Sequence, residues 1–320
     1  MSTDYEMMLD VYRGLGQDSS VFSESDVAHL VIHGNEVIGA NLVPGLRVEP
    51  EELEDGVRVG IVVEEGAAIE NTVHMCFGVL PEEGLQRILL DVELEPRSRV
   101  EVLAHCVFPN ALDVTHKMDA QIRLGEDAAY RYFERHVHGS EGGVLVVPHA
   151  QVHVGAGASF ETEFELVQGR VGQIEIDYEG WCAERALMRM IARMSGRGDD
   201  RIQVRETAHL DGPDSVGVLL SRIAVRDRAW ADVYNELTAS APGARGHVDC
   251  KEIVQGEAVA RATPIVDVRH PRAHVTHEAA IGSVDSRQLQ TLMARGMSED
   301  EAVELIIQGL LSKKEKAEAD

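Results

Sequence analysis

Between residues 245 and 296 the chain gathers residue types that can hold a soft metal centre. Cys250 ends the run Arg245-Gly246-His247-Val248-Asp249-Cys250, and His270, His274 and the pair His277-Glu278 follow. Thiolate suits iron-sulfur chemistry, and imidazole or carboxylate can complete such a shell. Spacing alone admits other readings. Free cysteine is among the most buried residue types, so a structural thiol is the plain alternative for Cys250, although His247 and Asp249 give it a polar setting. A helix would put His270, His274 and His277 on one face with zinc-binding spacing, Pro271 being tolerable in a first turn. The Val, Thr and Ile that crowd this segment favour a strand instead. On a strand His277 and Glu278 point to opposite faces, so both enter one site only through a bulge, a nearby edge or an interface. The pair does not open an HExxH motif, because Ile281 stands where the second His would be.

Other constellations are weaker. His136 and His138 would share one strand face, as would His149 and His153, yet surface or core-edge histidines are the commoner explanation. Ser221, His209 and Asp211 suggest a hydrolase triad that no nucleophile-elbow motif supports. Gly155-Ala156-Gly157 lacks the GK[ST] of a phosphate loop. The four cysteines, Cys76, Cys106, Cys182 and Cys250, are widely spaced with no CxxC, which excludes a zinc ribbon and leaves free thiols as the expectation.

The elements that must position these residues come from a repeat. Segments beginning at Ile61, Val92, Ile122 and Val152 each carry apolar residues two apart, a tight polar or Gly-rich corner, a small residue and another apolar position. Their starts lie 31, 30 and 30 residues apart. A fixed period with one supersecondary unit per repeat marks a solenoid, and the alternation suits coils of a parallel β-helix. The pattern returns near Ile223 and Val266. Residues 183–198 read either as a helix or as an Arg-rich edge strand. Before the core, residues 3–15 place Tyr5, Met8, Leu9, Tyr12 and Leu15 on one helical face, and residues 28–38 read as a hairpin around Gly34-Asn35. After Gly282 the period becomes 3.6: Asp285 can cap a helix through Leu289, Leu292 and Met293 that ends at Arg295-Gly296. Ser298 and Glu301 form a capping box for a second helix, followed by a charged tail after Ser312 expected to fray. The expected division is residues 1–55 (helix and hairpin), 56–282 (β-helix core) and 283–320 (helical segment).

Composition bounds the function. The net charge of −25 repels phosphate backbones and anionic lipid, which argues against nucleic-acid or membrane partners. No charged-then-apolar leader opens the sequence and no apolar run approaches 18 residues, so a cytoplasmic protein is expected. Only 4% of residues are aromatic, too few for the sugar-stacking surface of a β-solenoid polysaccharide enzyme.

The Cys-containing segment 246–256, the Pro264 strand, the triplet His277-Glu278-Ala279 and the helix over 285–296 with Arg295-Gly296 together resemble the C-terminal core of the SufB/SufD family of the SUF system, in a compact archaeal-type form. About 28 residues separate Cys250 from Glu278, as in the family. Glu278 stands where SufD-type chains carry Gly, which makes the chain SufB-like. The resemblance implies a mainly β, right-handed parallel β-helix and a non-enzymatic scaffold for a transient iron-sulfur cluster. Cys250 would be sulfur acceptor and ligand, and Glu278 and His277 would hold iron. A SufC-like ABC ATPase would dock on the C-terminal helices through Leu289, Leu292, Met293, Arg295 and Gly296. A homodimer or heterodimer would form through the β-helix, a sulfur donor and apo iron-sulfur proteins would complete the partners, and Cys76 and Cys106 become candidates for the sulfur route. A SufD-like structural subunit is the alternative, and a flavin is left open.

Overall fold

The computed structural model describes residues 3–14 and 19–312. Leu15 and the charged tail beyond Ser312, both named above, lie outside them. Among the described residues nineteen strands, β1 (His29–His33) to β19 (His274–Gly282), form two facing sheets. The ten-stranded sheet runs β19-β17-β15-β13-β11-β9-β7-β5-β1-β2 and the nine-stranded one β18-β16-β14-β12-β10-β8-β6-β4-β3. The antiparallel pairs β1–β2 and β3 (Leu46–Leu53)–β4 (Gly56–Val63) open the fold. From β4 on, consecutive strands lie in opposite sheets and every second strand pairs in parallel, which makes a parallel β-helix of about eight turns.

The 30-residue period is the register itself. Ile61 lies opposite Val92, Val92 opposite Ile122 and Ile122 opposite Val152. Each coil therefore stacks like residues on like. The inward files are mostly apolar and form one core running the length of the lumen, interrupted by buried polar residues. Corners stack too: Arg97, Asp127, Gly157 and Arg185 all take positive φ, and the Arg97, Asp127 and Gly157 amides each donate to a carbonyl of the next coil at 2.8 to 2.9 Å. Outward files carry ladders, such as Arg131 between Glu101 and Glu161 and the Trp181 ring stacked between His153 and His209.

Residues 183–198 correct both expectations for them. They form β13 (Leu187–Gly196), a central strand between β11 (Ser159–Gln168) and β15 (Val216–Val225), with Met188, Met190, Ala192 and Met194 inward and the arginines outward. Arg193 meets Glu163 of β11 at 3.1 Å on the covered outer face, so the arginines that suggested an edge serve a ladder instead.

The hairpin β1–β2 (Glu36–Asn41) turns at Gly34 and extends the ten-stranded sheet. Helix α1 (Thr3–Gly14) buries Tyr5, Met8, Leu9 and Tyr12 against Val107 and Val137 on that sheet's outer face. At the other end Asp285 caps α2 (Ser286–Met293), Gly296 at φ 96° stops it, and the Ser298–Glu301 capping box starts α3 (Glu299–Leu311). Ile307 and Leu311 pack on Ala224 and Ile253. No described helix is long and apolar enough to cross a membrane.

Candidate functional site

Cys250 lies in β17 (Arg245–Val254), the penultimate strand of the ten-stranded sheet. Alternation turns Val248, Cys250 and Glu252 into the lumen, and Cys250 has no exposed surface. Its surroundings are unusual for a β-helix interior. Asn235 of β16 (Trp230–Ala239) offers its Nδ2 to Cys250 Sγ at 3.8 Å, and Ser221, beside Cys250 in the sheet, donates to Glu252 Oε1 at 3.0 Å. Glu206 of β14 (Arg201–Leu210) reaches the same region of the lumen and is 2% exposed. Four polar groups thus ring the thiol.

The electrostatics follow from that confinement. Burial raises the Cys250 thiol to about 11, and the carboxylates of Glu252, Glu206 and Asp249 push the same way, while the Ser221 hydroxyl works against them. Burial also raises Glu252 to about 7 and Glu206 to about 8. In this conformation Cys250 is a covered, neutral thiol.

The other predicted ligands fall on both sides of the last strand. His277 lies opposite Val248 and Glu278 opposite Asp249, while Cys250 itself faces Ala279. His277 therefore shares the inward face with Cys250, one diagonal step away, where the lumen opens at the end of the solenoid. Glu278 shares the outward face with Asp249, which Arg222 and Lys251 hold, the latter at 3.0 Å. No bulge interrupts the β17–β19 register to bring His277 and Glu278 together. The helical zinc face is absent: His270 sits in the turn, His274 points outward and His277 inward. The triad falls likewise, since Ser221 is lumenal whereas His209 lies on the outer face bonded to Glu179 at 2.8 Å and Asp211 takes a corner bonded to Ser240.

Of the remaining thiols, Cys76 faces outward beneath α1, and Cys106 and Cys182 face the lumen. His136 and His138 are lumenal as well, not surface or core-edge residues, because they continue the inward file of Tyr130 and Tyr132. Leu292 is half-buried in a groove between α2 and α3 that Leu305, Ile306 and Leu310 also line; Leu289 is half-buried but does not line it, and Met293, Arg295 and Gly296 are exposed.

Residues 80–310 match the family model described as SUF system FeS cluster assembly, SufBD core domain. An iron-sulfur cluster assembly SufBD family protein of Pyrococcus horikoshii is 34% identical over 96% of this chain and 94% of its own length. The chain belongs to the SufBD family of iron-sulfur cluster assembly proteins. Another SufBD family protein, from Methanocaldococcus jannaschii, is 34% identical over 88% of this chain and 89% of its own. A second Pyrococcus horikoshii member is 24% identical and spans 78% of this chain but 56% of its own length. The SufBD match includes every strand that carries the polar ring around Cys250.

Proposed function

We propose that this SufBD chain is a scaffold subunit on which an iron-sulfur cluster is assembled and from which it is passed on, with Cys250 as sulfur acceptor and ligand. One observation supports this most: a thiol inside the lumen is surrounded by Asn235, Ser221, Glu206 and Glu252, one strand from the open end where His277 shares its face. A thiol kept only for packing has no need of such neighbours. A shell weaker than four thiolates suits cargo that must leave.

Cys250 is covered and protonated here, so accepting sulfur requires the end of the solenoid to open. Helix α3 is placed to transmit such a movement, because Ile307 and Leu311 rest on Ala224 and Ile253, in the strands that carry Ser221 and Cys250. A SufC-like ABC ATPase seated on the α2–α3 groove would pull on those strands as it closes. Strands β18 (Val259–Val268) and β19 are the outer strands of their sheets, and exposed edges are templates for pairing with a second subunit. Glu278, outward on β19, would then serve iron across that interface, in a homodimer or a heterodimer. Activity as an enzyme would reside in the ATPase partner, not in this chain.

The buried neutral state of Cys250 supports one other reading, a SufD-like subunit that stabilises the ATPase and carries no cluster. Cluster reconstitution with ferrous iron, a persulfide donor and a thiol reductant that supplies the two electrons per sulfide separates the two. Cys250→Ser is expected to slow assembly at least tenfold; assembly at the unchanged rate would remove the scaffold reading.

A further inference from the structure

Far from Cys250, the lumen holds a second group of polar side chains that the scaffold reading does not use. Cys106 of β7 (Arg99–Phe108), His116 of β8 (Asp113–Leu124), and Glu134 and His136 of β9 (Ala129–His138) each bring one ligand atom within 4.8 Å of the others. All four are 0–2% exposed. Glu134 and Cys250 occupy one inward file, joined through Phe164, Ala192 and Ser221. Four strand spacings of about 4.8 Å set them about 19 Å apart.

The hydrogen bonds fix which atoms face the centre. Gln86 donates its Nε2 to the Gly34 carbonyl at 2.7 Å, so its oxygen is the atom facing His116 Nδ1 at 2.9 Å. A carboxamide oxygen only accepts, which puts the proton of His116 on Nδ1 and leaves Nε2 as a lone pair with no partner. On β9 the Arg170 carbonyl makes His138 Nδ1 a donor at 3.0 Å. His138 Nε2 must then accept from His136 Nδ1 at 3.2 Å. The lone pair of His136 is therefore on Nε2, which faces Glu134 Oε1 at 2.7 Å, and Glu134 Oε2 has no partner. Cys106 Sγ stands 3.7 Å from Glu134 Oε1. A proton between Glu134 and His136 would satisfy that pair and still leave His116 Nε2 facing nothing. Two imidazole lone pairs, a carboxyl and a thiol thus converge with the outer nitrogens of both rings already oriented, the outer-shell arrangement that ligating histidines use.

We propose that Cys106, His116, Glu134 and His136 form a lumenal site for a resident divalent transition metal of the zinc or ferrous class, separate from the cluster chemistry at Cys250. One sulfur, two nitrogens and one oxygen are a donor set for such ions, and bonds of 2.0–2.3 Å in a tetrahedron place ligand atoms roughly 3.3–3.7 Å apart. The group meets that by contracting about 1 Å at its widest and spreading the 2.7 Å Glu134–His136 pair by about 0.6 Å. Binding displaces the thiol proton, which leaves to solvent.

Cobalt(II) is the probe, titrated anaerobically into the full chain after chelation, in a Cys250→Ala background so that binding at Cys250 cannot mimic the result. One equivalent bound with a thiolate-to-cobalt charge-transfer band and visible tetrahedral bands is expected. Zinc should displace the cobalt and raise the melting temperature, and Cys106→Ser or His116→Gln should weaken binding at least tenfold. Absence of stoichiometric binding, or cobalt bound without the thiolate band, overturns the site even if those variants fail to fold. Neither result bears on whether Cys250 accepts sulfur.

Discussion

At the scale of residues, Glu206 shows what the lumen around Cys250 costs. A carboxyl whose folded-state pKa lies above its unfolded value is favoured protonated in the fold. Stability is therefore highest below the ordinary 4.5 and falls as pH rises from there to about 8. Glu206→Gln removes the ionisable group while keeping the shape. It should raise stability at pH 8 by about 2 kcal/mol or more and change it little at pH 4.5, measured by denaturant unfolding at both. An equal effect at the two pH values would mean that the carboxyl is solvated in the native protein. Residues of this kind were partly legible. Cys250 and His277 stood out by type, but Glu206, Asn235 and Glu252 did not, because a polar residue in a strand reads as outward until its parity is counted. In β9 the count was available: alternation from Tyr130 through Tyr132 places Glu134, His136 and His138 inside. The separation of His277 from Glu278 was also legible, since neighbours in an unbulged strand take opposite faces. Their cross-strand partners were not, because register between coils depends on the whole length of each turn.

At the scale of elements, the C-terminal helices are seated by few contacts, and the apolar surface they leave open is what the ATPase proposal uses. Leu305 is 45% exposed in the α2–α3 groove. Leu305→Asp should leave the unfolding free energy within about 0.5 kcal/mol, as exposed substitutions do, and reduce co-purification of the ATPase at least tenfold. Full retention of the partner would move the docking site elsewhere. The helices were read well from sequence because Asp285, Gly296 and the Ser298–Glu301 pair are local stop and start signals. The first coils were equally clear, since Ile61, Val92, Ile122 and Val152 keep one period. Residues 183–198 were not: the inward run of Met188, Met190, Ala192 and Met194 uses residues that also favour helices, and only pairing on both sides makes the segment a strand.

At the scale of the whole molecule, the antiparallel strands β2 and β3 end the two sheets on one side, and on the other β18 and β19 present unpaired edges beside the polar ring. Like charge keeps copies apart in general, with a net −25 over 320 residues, so pairing has to come from a specific edge rather than from broad attraction. That geometry puts the thiol near an exposed sheet edge without exposing the thiol itself. The account rests on Cys250 holding cargo. Iron and acid-labile sulfide per chain, measured after anaerobic co-expression with the ATPase, test it most directly for wild type, Cys250→Ala and, as a buried-thiol control, Cys182→Ala. Iron and sulfide in the wild type and the control, and neither in Cys250→Ala, is the predicted result; a stable complex with the ATPase in which the wild type holds no sulfide would contradict it.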